Sequence, residues 1–102
     1  MTTSITYNTD LALYSFSQFQ FGERREEECL PADLQVGEAY PFLKMGHRNY
    51  EIGGLVTLLE MEPDEVLFRM RAEVEIVESF YVIEDDQSLT RGTYRVTQLI
   101  TD

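Results

Sequence analysis

Apolar and charged positions alternate along the segment 65–77. Its even positions are all apolar: Val66, Phe68, Met70, Ala72, Val74 and Ile76. The odd positions between them include four charged residues: Arg69, Arg71, Glu73 and Glu75. A period of two places the apolar side chains on one face of a strand, whereas a helix would scatter the charges around its circumference. The pattern therefore predicts a strand with one face on a core and the other in water.

A second strand is predicted directly before this one, at 50–61. The residues that join them, 62–65, have turn chemistry, because Pro63 presets the backbone of the second turn position and Asp64 suits the third. The two strands are therefore predicted to pair as a hairpin. The pair Gly53-Gly54 inside the first strand indicates a bulge, a sharp bend or a close approach of two backbones.

Other stretches rich in β-forming residues complete the predicted sheet. They lie at 11–21, 39–45, 79–84 and 93–100, and the stretch 79–84 either forms a strand of its own or continues the preceding strand past a bend at Glu78-Ser79. In the first, the apolar positions change phase near Ser17-Gln18, as they would at a β-bulge or in a strand with both faces partly covered. In the second, Pro41 cannot donate to a ladder, so this strand belongs at an edge or Pro41 lies at its start. The segment 84–92 is predicted to be a loop, and the charged block 23–30 fits either one or two helical turns or a solvated loop.

Strands at hairpin spacing with at most one short helix indicate a mainly β fold. The 102 residues are expected to form a single domain, 1–102, whose segment 1–9 frays or pairs loosely at an edge. An isolated sheet of five to six strands would leave two free edges and one wet face. We therefore expect a small antiparallel β-barrel or a two-layer β-sandwich, and the kink at Gly53-Gly54 favours the barrel.

The charge balance is strongly acidic and narrows the choice of partners. Nineteen Asp and Glu face eight Lys and Arg, which gives a net charge of −11. Nucleic-acid phosphates and anionic membrane surfaces would be repelled over most of such a surface, so neither is predicted as a partner. A basic protein partner is predicted instead, although acidity that only maintains solubility is the alternative. Cys29 is the single cysteine, and with no visible signal peptide it favours a cytoplasmic location.

No catalytic or metal-binding motif is recognisable in the chain. His47 is the only histidine, and no nucleophile or orienting acid stands at a recognisable spacing from it. It is predicted to be a solvated group in the turn 46–49. Cys29 lies beside carboxylates that would raise its pKa, so a structural role is predicted. The acidic turns lack the regular calcium-loop pattern. No metal ion and no cofactor are expected, and the chain favours a non-enzymatic function.

Two sets of residues are candidates for binding. The partner-binding set combines tyrosines near predicted strand ends with an acidic turn: Tyr40, Tyr50, Tyr81, Glu84, Asp85 and Asp86. The anion-binding set consists of Arg69 and Arg71, which share the outward face of one strand, and Arg95, which would join them from a neighbouring strand. The alternative for these arginines is cross-strand pairing with glutamates.

Together these features favour a non-enzymatic, acidic protein-binding module that inhibits or neutralises a basic partner. Immunity proteins that bind basic nuclease toxins share its size, charge and expected compartment, which is a comparison of properties and not of sequence. A DNA mimic is disfavoured because the acids are scattered. The alternative function is a small-ligand-binding β-barrel or an enzyme with its site near His47, Arg69 and Arg71. Pairing of an edge strand with a second copy would give a homo-oligomer.

Overall fold

Five strands and one short helix make up the described part of the chain, residues 6–62 and 68–100 of a computed structural model. The elements are β1 (Asp10–Tyr14), α1 (Phe16–Gln20), a 3-10 turn (Glu26–Glu28), β2 (Ala39–Met45), β3 (Leu55–Met61), β4 (Phe68–Glu84) and β5 (Gln87–Leu99). The predicted mainly β class, with five to six strands and at most one short helix, is confirmed.

The strands form one sheet in the order β1-β3-β4-β5-β2. Every neighbouring pair is antiparallel except β1 and β3, which run parallel. The sheet is therefore mixed, because the chain between β1 and β3 is long enough to return to the same end before β3 begins. The position of β2 at one edge confirms the inference from Pro41. The sheet does not close on itself, so the strand pairing leaves the choice between barrel and sandwich open.

The predicted hairpin of the two central strands is confirmed, although its first strand is shorter than expected. β3 pairs antiparallel with β4 from Leu55 opposite Glu75 to Met61 opposite Phe68. The expected turn lies mostly outside the described residues. β3 begins only after Gly53, which has φ +85° and lies in a turn. Gly53 donates its amide to the carbonyl of Ile76, and Ile76 donates to Gly54, so this glycine pair does mark a close approach of two backbones.

The predicted loop at 84–92 is wrong, because β4 turns into β5 within two residues. Glu84 lies opposite Gln87, and the turn residues Asp85 and Asp86 have φ values of 51° and 63°. Positive φ at both central residues is type I′ geometry, whose twist matches that of the flanking strands. The polar run after Glu84 resembles a loop in sequence, but its residues are ladder positions with buried Leu89 and Thr90 among them.

The predicted bulged strand at 11–21 is also wrong beyond Tyr14. The short helix α1 follows instead, and the rings of Phe16 and Phe19 lie with their centroids 5.9 Å apart. A spacing of three residues is that of neighbours on one helix face. The phase change that suggests a bulge is therefore the change from strand to helix. In the charged block 23–30, the only regular element is the 3-10 turn.

The main hydrophobic core covers one face of the sheet. Its central members come from all five strands: Leu11, Leu13, Phe42, Val56, Leu58, Ala72, Val74, Ile76, Tyr94 and Val96. A second, smaller cluster joins Tyr14, Cys29 and Met61 on the opposite face of β1 and β3. In the main core Phe42 lies across from Gly92, and a Cβ atom at Gly92 would overlap its ring. A glycine is required there because the Phe42 ring and the Glu78 carbonyl fill the space that a Cβ atom would need.

Candidate functional site

On its β4 side the outer part of the β4–β5 hairpin extends beyond β3, whereas on its β5 side β2 pairs as far as Leu89. β3 pairs with β4 only as far as Glu75, and the Gly53-Gly54 turn bonds to Ile76. The residues 77–93 that follow are called the arm. Within the described ranges, no backbone hydrogen bond reaches the outer side of residues 77–84, which we call the free edge. The sheet thus has an unpaired edge in the middle of its order, at one end of β4.

The hydrogen-bond parity shows which backbone groups the free edge presents. A two-residue turn closes on a hydrogen-bonded pair, here Glu84 and Gln87, so even-numbered residues of β4 bond to β5 along the arm. On the far side of β5, the amide of Gly46 donates to the carbonyl of Ser88, in keeping with this parity. The N–H and C=O groups of Ser79, Tyr81 and Ile83 therefore point outward.

The free edge is also apolar. The exposed fractions of Val77, Phe80, Tyr81 and Ile83 are 37%, 44%, 52% and 77%. Alternation places Tyr81 and Ile83 on one face of the strand and Phe80 on the other. Soluble proteins usually blunt an exposed edge with lysine, proline or bulges, because unpaired backbone groups beside apolar side chains attract further strands. Residues 77–84 contain neither lysine nor proline, and the one irregularity along them is the register shift between Ile76 and Glu78, where this edge begins.

The turn after β2 supports the arm. Buried Thr90 of β5 donates its hydroxyl to the carbonyl of Gly46 and accepts the amide of Arg48, both at 2.8 Å. These bonds hold His47 against the arm, where its imidazole stacks on the ring of Tyr81. His47 is exposed as predicted, but it has a specific aromatic contact that the sequence did not reveal.

An ion-pair cluster fixes the tip of the arm. Glu84 accepts hydrogen bonds from Arg25 at 2.7 Å and from Arg91 at 2.9 Å. The bond from Arg91, and next the bond from Arg25, hold the pKa of the Glu84 carboxyl below its usual value. The same bond to Glu84 raises the pKa of Arg25. Asp85 and Asp86 are exposed, and no ion pair joins them to another described residue. Of the predicted acidic trio, Glu84 alone is engaged in ion pairs with described residues.

Tyr50 belongs to the core rather than to a surface that a partner could reach. It is 7% exposed, and its ring meets that of Phe42 edge-on with the centroids 5.6 Å apart. Its hydroxyl donates to the backbone carbonyl of Asp10 at 2.9 Å. Burial raises the pKa of Tyr50 above its ordinary value. The sequence places Tyr50 near a turn, but the turn folds its side chain inward.

Tyr40 also has a structural contact set. Its ring packs on Tyr94 with the centroids 5.7 Å apart, and its hydroxyl donates to the carbonyl of Asp33 and accepts the amide of Gln35. These bonds anchor the loop that leads into β2. Of the three predicted tyrosines, Tyr81 alone therefore lies largely exposed, and the structure brings it together with Glu84, Asp85 and Asp86 on the arm.

The three candidate arginines do not converge. Arg71 forms an ion pair of 2.6 Å with Glu60, and Arg69 lies opposite the same glutamate in the register. Arg95 lies opposite Glu75, four residues further along β4 than Arg71, which corresponds to about 13 Å. The alternative for these arginines, pairing with a glutamate on the neighbouring strand, is what Arg71 shows with Glu60.

The residues of the alternative ligand or enzyme site are separated as well. His47 contacts Tyr81, whereas Arg71 precedes Tyr81 by ten residues along β4, or roughly 30 Å. His47 therefore lies against the outer part of β4, whereas Arg69 and Arg71 lie near its beginning, too far away to line the same site.

A cleft that the sequence did not indicate lies beside β1. It has a volume of about 400 Å³, and its lining includes Lys44, Arg48, Asp10, Leu59 and Phe68. Lys44 donates to the backbone carbonyl of Ala12 across the cleft. Two of the eight basic side chains of the protein thus meet here, although neither belongs to a sequence motif.

Burial raises the pKa of the Cys29 thiol, which disfavours the reactive thiolate. In residues 6–62 and 68–100, no group of three or more His, Cys, Asp or Glu side chains could hold a metal ion. No helix in the same ranges is long and apolar enough to cross a membrane.

Comparisons with protein families, with curated proteins and with solved structures find no match to this chain. The arm and the cleft are therefore interpreted from their geometry alone.

Proposed function

We propose that this protein is a non-enzymatic, acidic protein-binding module that neutralises or inhibits a basic partner. The observation that supports the proposal is the arm, where an unpaired apolar strand edge adjoins the uncompensated carboxylates of Asp85 and Asp86. We infer a cytoplasmic location from the single cysteine, which leaves no intrachain disulfide.

Charge and apolar contacts would contribute to different steps of binding. A net charge of −11 attracts a basic protein over a distance of about one Debye length, roughly 8–10 Å at physiological salt, and so speeds encounter. Affinity then depends on desolvated side chains, for which Tyr81 and Ile83 are the best placed. An aromatic contact of this kind survives salt that screens the carboxylates.

Affinity capture from the lysate of the native host, washed at low and at high salt, tests the proposal. The informative variant is Asp85→Asn/Asp86→Asn, because Asn tolerates positive φ and keeps the turn. The matched control is Glu38→Gln/Glu62→Gln, which neutralises two exposed acids away from the arm. Both variants change the net charge from −11 to −11 + 2 = −9.

We expect the native chain to retain a basic protein. The arm variant should lose that protein at a lower salt concentration than the control variant does. Equal loss from both variants would show that only total charge matters and would exclude the arm as the site. If no basic protein is captured even at low salt, the binding module is the wrong function.

The cleft beside β1 favours a second candidate, the binding of a small anionic ligand. Lys44 and Arg48 supply two positive charges against the single carboxylate of Asp10, and Leu59 and Phe68 supply apolar wall. Native mass spectrometry of the purified protein would show a bound anion that Arg48→Ala reduces. A spectrum of the bare chain alone would count against this candidate.

A further inference from the structure

We propose that the partner docks by strand addition: an extended segment of the basic partner pairs with the free edge of β4 through Ser79, Tyr81 and Ile83. This inference rests on the proposed function and specifies how its partner is held. It also predicts a binding mode in which backbone hydrogen bonds contribute alongside charge and apolar contact.

The first argument is the backbone itself. Ser79, Tyr81 and Ile83 present outward N–H and C=O groups at intervals of two residues, about 6.6 Å. An extended peptide of about five residues presents complementary groups at the same interval. Water satisfies these groups in the free protein, and a strand replaces that water without unfolding any existing pair. The β4–β5 register already provides a regular strand on which the new strand can align.

The second argument is that the edges of the sheet differ. On β1 the backbone carbonyls of Asp10, Ala12 and Tyr14 accept bonds from Tyr50, Lys44 and Leu30 respectively. On β2 the backbone groups that face away from β5 belong to odd-numbered residues, which include Pro41 and its missing N–H. The outward carbonyls of β1 are thus occupied, and β2 lacks one outward N–H group. On β4 the register shift between Ile76 and Glu78 interrupts the strand only where the free edge begins, and from Glu78 to Glu84 no backbone hydrogen bond from a described residue covers it.

The third argument concerns the side chains of the added strand. Tyr81, supported from below by His47, and Ile83 lie on one face of the arm, while Phe80 lies on the other. Alternate residues of an added strand would contact these two faces in turn. Apolar residues in the added strand would therefore gain contact area on both sides of the sheet.

Charge decides between a basic segment and a second copy of this chain. Glu78 stands near the start of the free edge and Asp85 and Asp86 at its end, so carboxylates flank the apolar positions. Lysine or arginine residues in the added strand would meet these carboxylates. A second copy would instead bring another net charge of −11 and the same carboxylates to the edge. The electrostatics favour the basic segment.

Amide hydrogen exchange by NMR on the full-length, isotope-labelled chain tests the proposal. The probe is an acetylated octapeptide that alternates lysine and valine. One control peptide has the same sequence with every backbone amide methylated, which keeps the charge and removes the backbone donors. A second control alternates glutamate and valine.

We expect the amides of Ser79, Tyr81 and Ile83 to exchange at least about tenfold more slowly with the lysine–valine peptide. The amides of Phe80 and Val82 already bond to β5, so they serve as internal controls and should change little. Neither control peptide should slow exchange at the free edge.

The possible failures are distinguishable. If the methylated peptide binds equally well and the odd-numbered amides are not slowed, strand addition is overturned while binding of a basic partner stands. If neither lysine peptide binds, strand addition also fails, and the capture experiment with the Asp85 and Asp86 variants decides the proposed function separately. If exchange slows with protein concentration alone and the mass doubles in light scattering, the occupant is a second copy and the inference is wrong.

Discussion

The imidazole of His47 stacks on the phenol ring of Tyr81, with their centroids 4.5 Å apart and their planes inclined by 24°. The contact joins the turn after β2 to the arm, over 34 residues of sequence. The bonds of Thr90 to Gly46 and Arg48 fix the residues on either side of His47. Tyr81 thus has a defined ring contact although about half of its surface is exposed.

Replacing His47 tests this support. We expect His47→Ala to lower the free energy of unfolding by about 1 kcal/mol, because the ring contact is lost but His47 itself is exposed and buries little surface. His47→Phe should retain most of the contact. Urea denaturation measures both variants. Equal destabilisation by alanine and phenylalanine would show that the stacking itself does not contribute.

Gly92→Ala is expected to be the most destabilising small change in the sheet, at about 3 kcal/mol, because a Cβ there overlaps the ring of Phe42 and the carbonyl of Glu78. Gly37→Ala is the matched control, since nothing lies near its Cβ and its cost comes only from positive φ, about 1 kcal/mol. Thermal denaturation compares them. A Gly92→Ala variant as stable as the control would mean that Phe42 repacks without cost.

Removing the hydroxyl from two buried tyrosines should have different effects on the free energy of unfolding. Tyr50→Phe removes a hydrogen bond to Asp10 and should cost about 1 kcal/mol. Tyr94 is completely buried, and its hydroxyl has no hydrogen-bond partner among the described residues. Tyr94→Phe is therefore expected to be neutral or stabilising. The difference between the two urea midpoints is the measurement, and a destabilised Tyr94→Phe would reveal a bonded hydroxyl.

The ion pairs of Glu84 predict a pH-dependent contribution to stability. The pKa of Glu84 is lowered in the folded state by Arg91 and Arg25, so its contribution is complete above the unfolded pKa of about 4.3 and is lost as pH falls through the folded pKa. Glu84→Gln should therefore be less stable than the native chain at pH 7. The difference should shrink as the solution is acidified through that range.

Urea midpoints of the native chain and of Glu84→Gln, measured at pH 7 and at the lowest pH that preserves the fold, check this. Asp86→Asn is the control, because Asp86 has no ion pair with a described residue. A difference between Glu84→Gln and the native chain that stays constant with pH would contradict the assigned pairing.

A lysine on the free edge should block strand addition. Ile83→Lys adds positive charge and blunts the edge, so affinity for the lysine–valine octapeptide should fall at least about tenfold. Val36→Lys makes the same charge change at another exposed apolar position, outside the sheet. Isothermal titration calorimetry gives both affinities. Equal weakening by the two lysines would assign the effect to net charge.

The strongest sequence predictions come from local patterns. Alternation along 65–77 predicts much of β4, and Pro41 predicts an edge strand or a strand start, of which the structure shows the edge. Gly53-Gly54 predicts a bulge, a bend or a close backbone approach, and the structure shows the last of these, with Ile76 as the partner. Each depends on properties of neighbouring residues: period, a missing donor or a missing side chain. The same local reasoning misassigned α1 and the β4–β5 turn, because aromatic spacing and polar composition fit more than one element there.

The candidate site was only partly accessible to such reasoning. Tyr81, Glu84, Asp85 and Asp86 were predicted together, and the structure places them together on the arm. Tyr50 was predicted beside them and lies in the core, since its exposure depends on Phe42 and Asp10, which are distant in sequence. The cleft around Lys44 and Arg48 was missed for the same reason.

The sequence by itself determined the mainly β class, the acidic charge and the central hairpin, because periodicity and composition act through adjacent residues. Only the tertiary structure decided that β1 runs parallel to β3, that Arg25 neutralises Glu84, and that β4 outruns its neighbour beyond Ile76. Those outcomes depend on strand order and on the relative lengths of paired strands. Residues far apart in the chain set both, through the core they jointly bury.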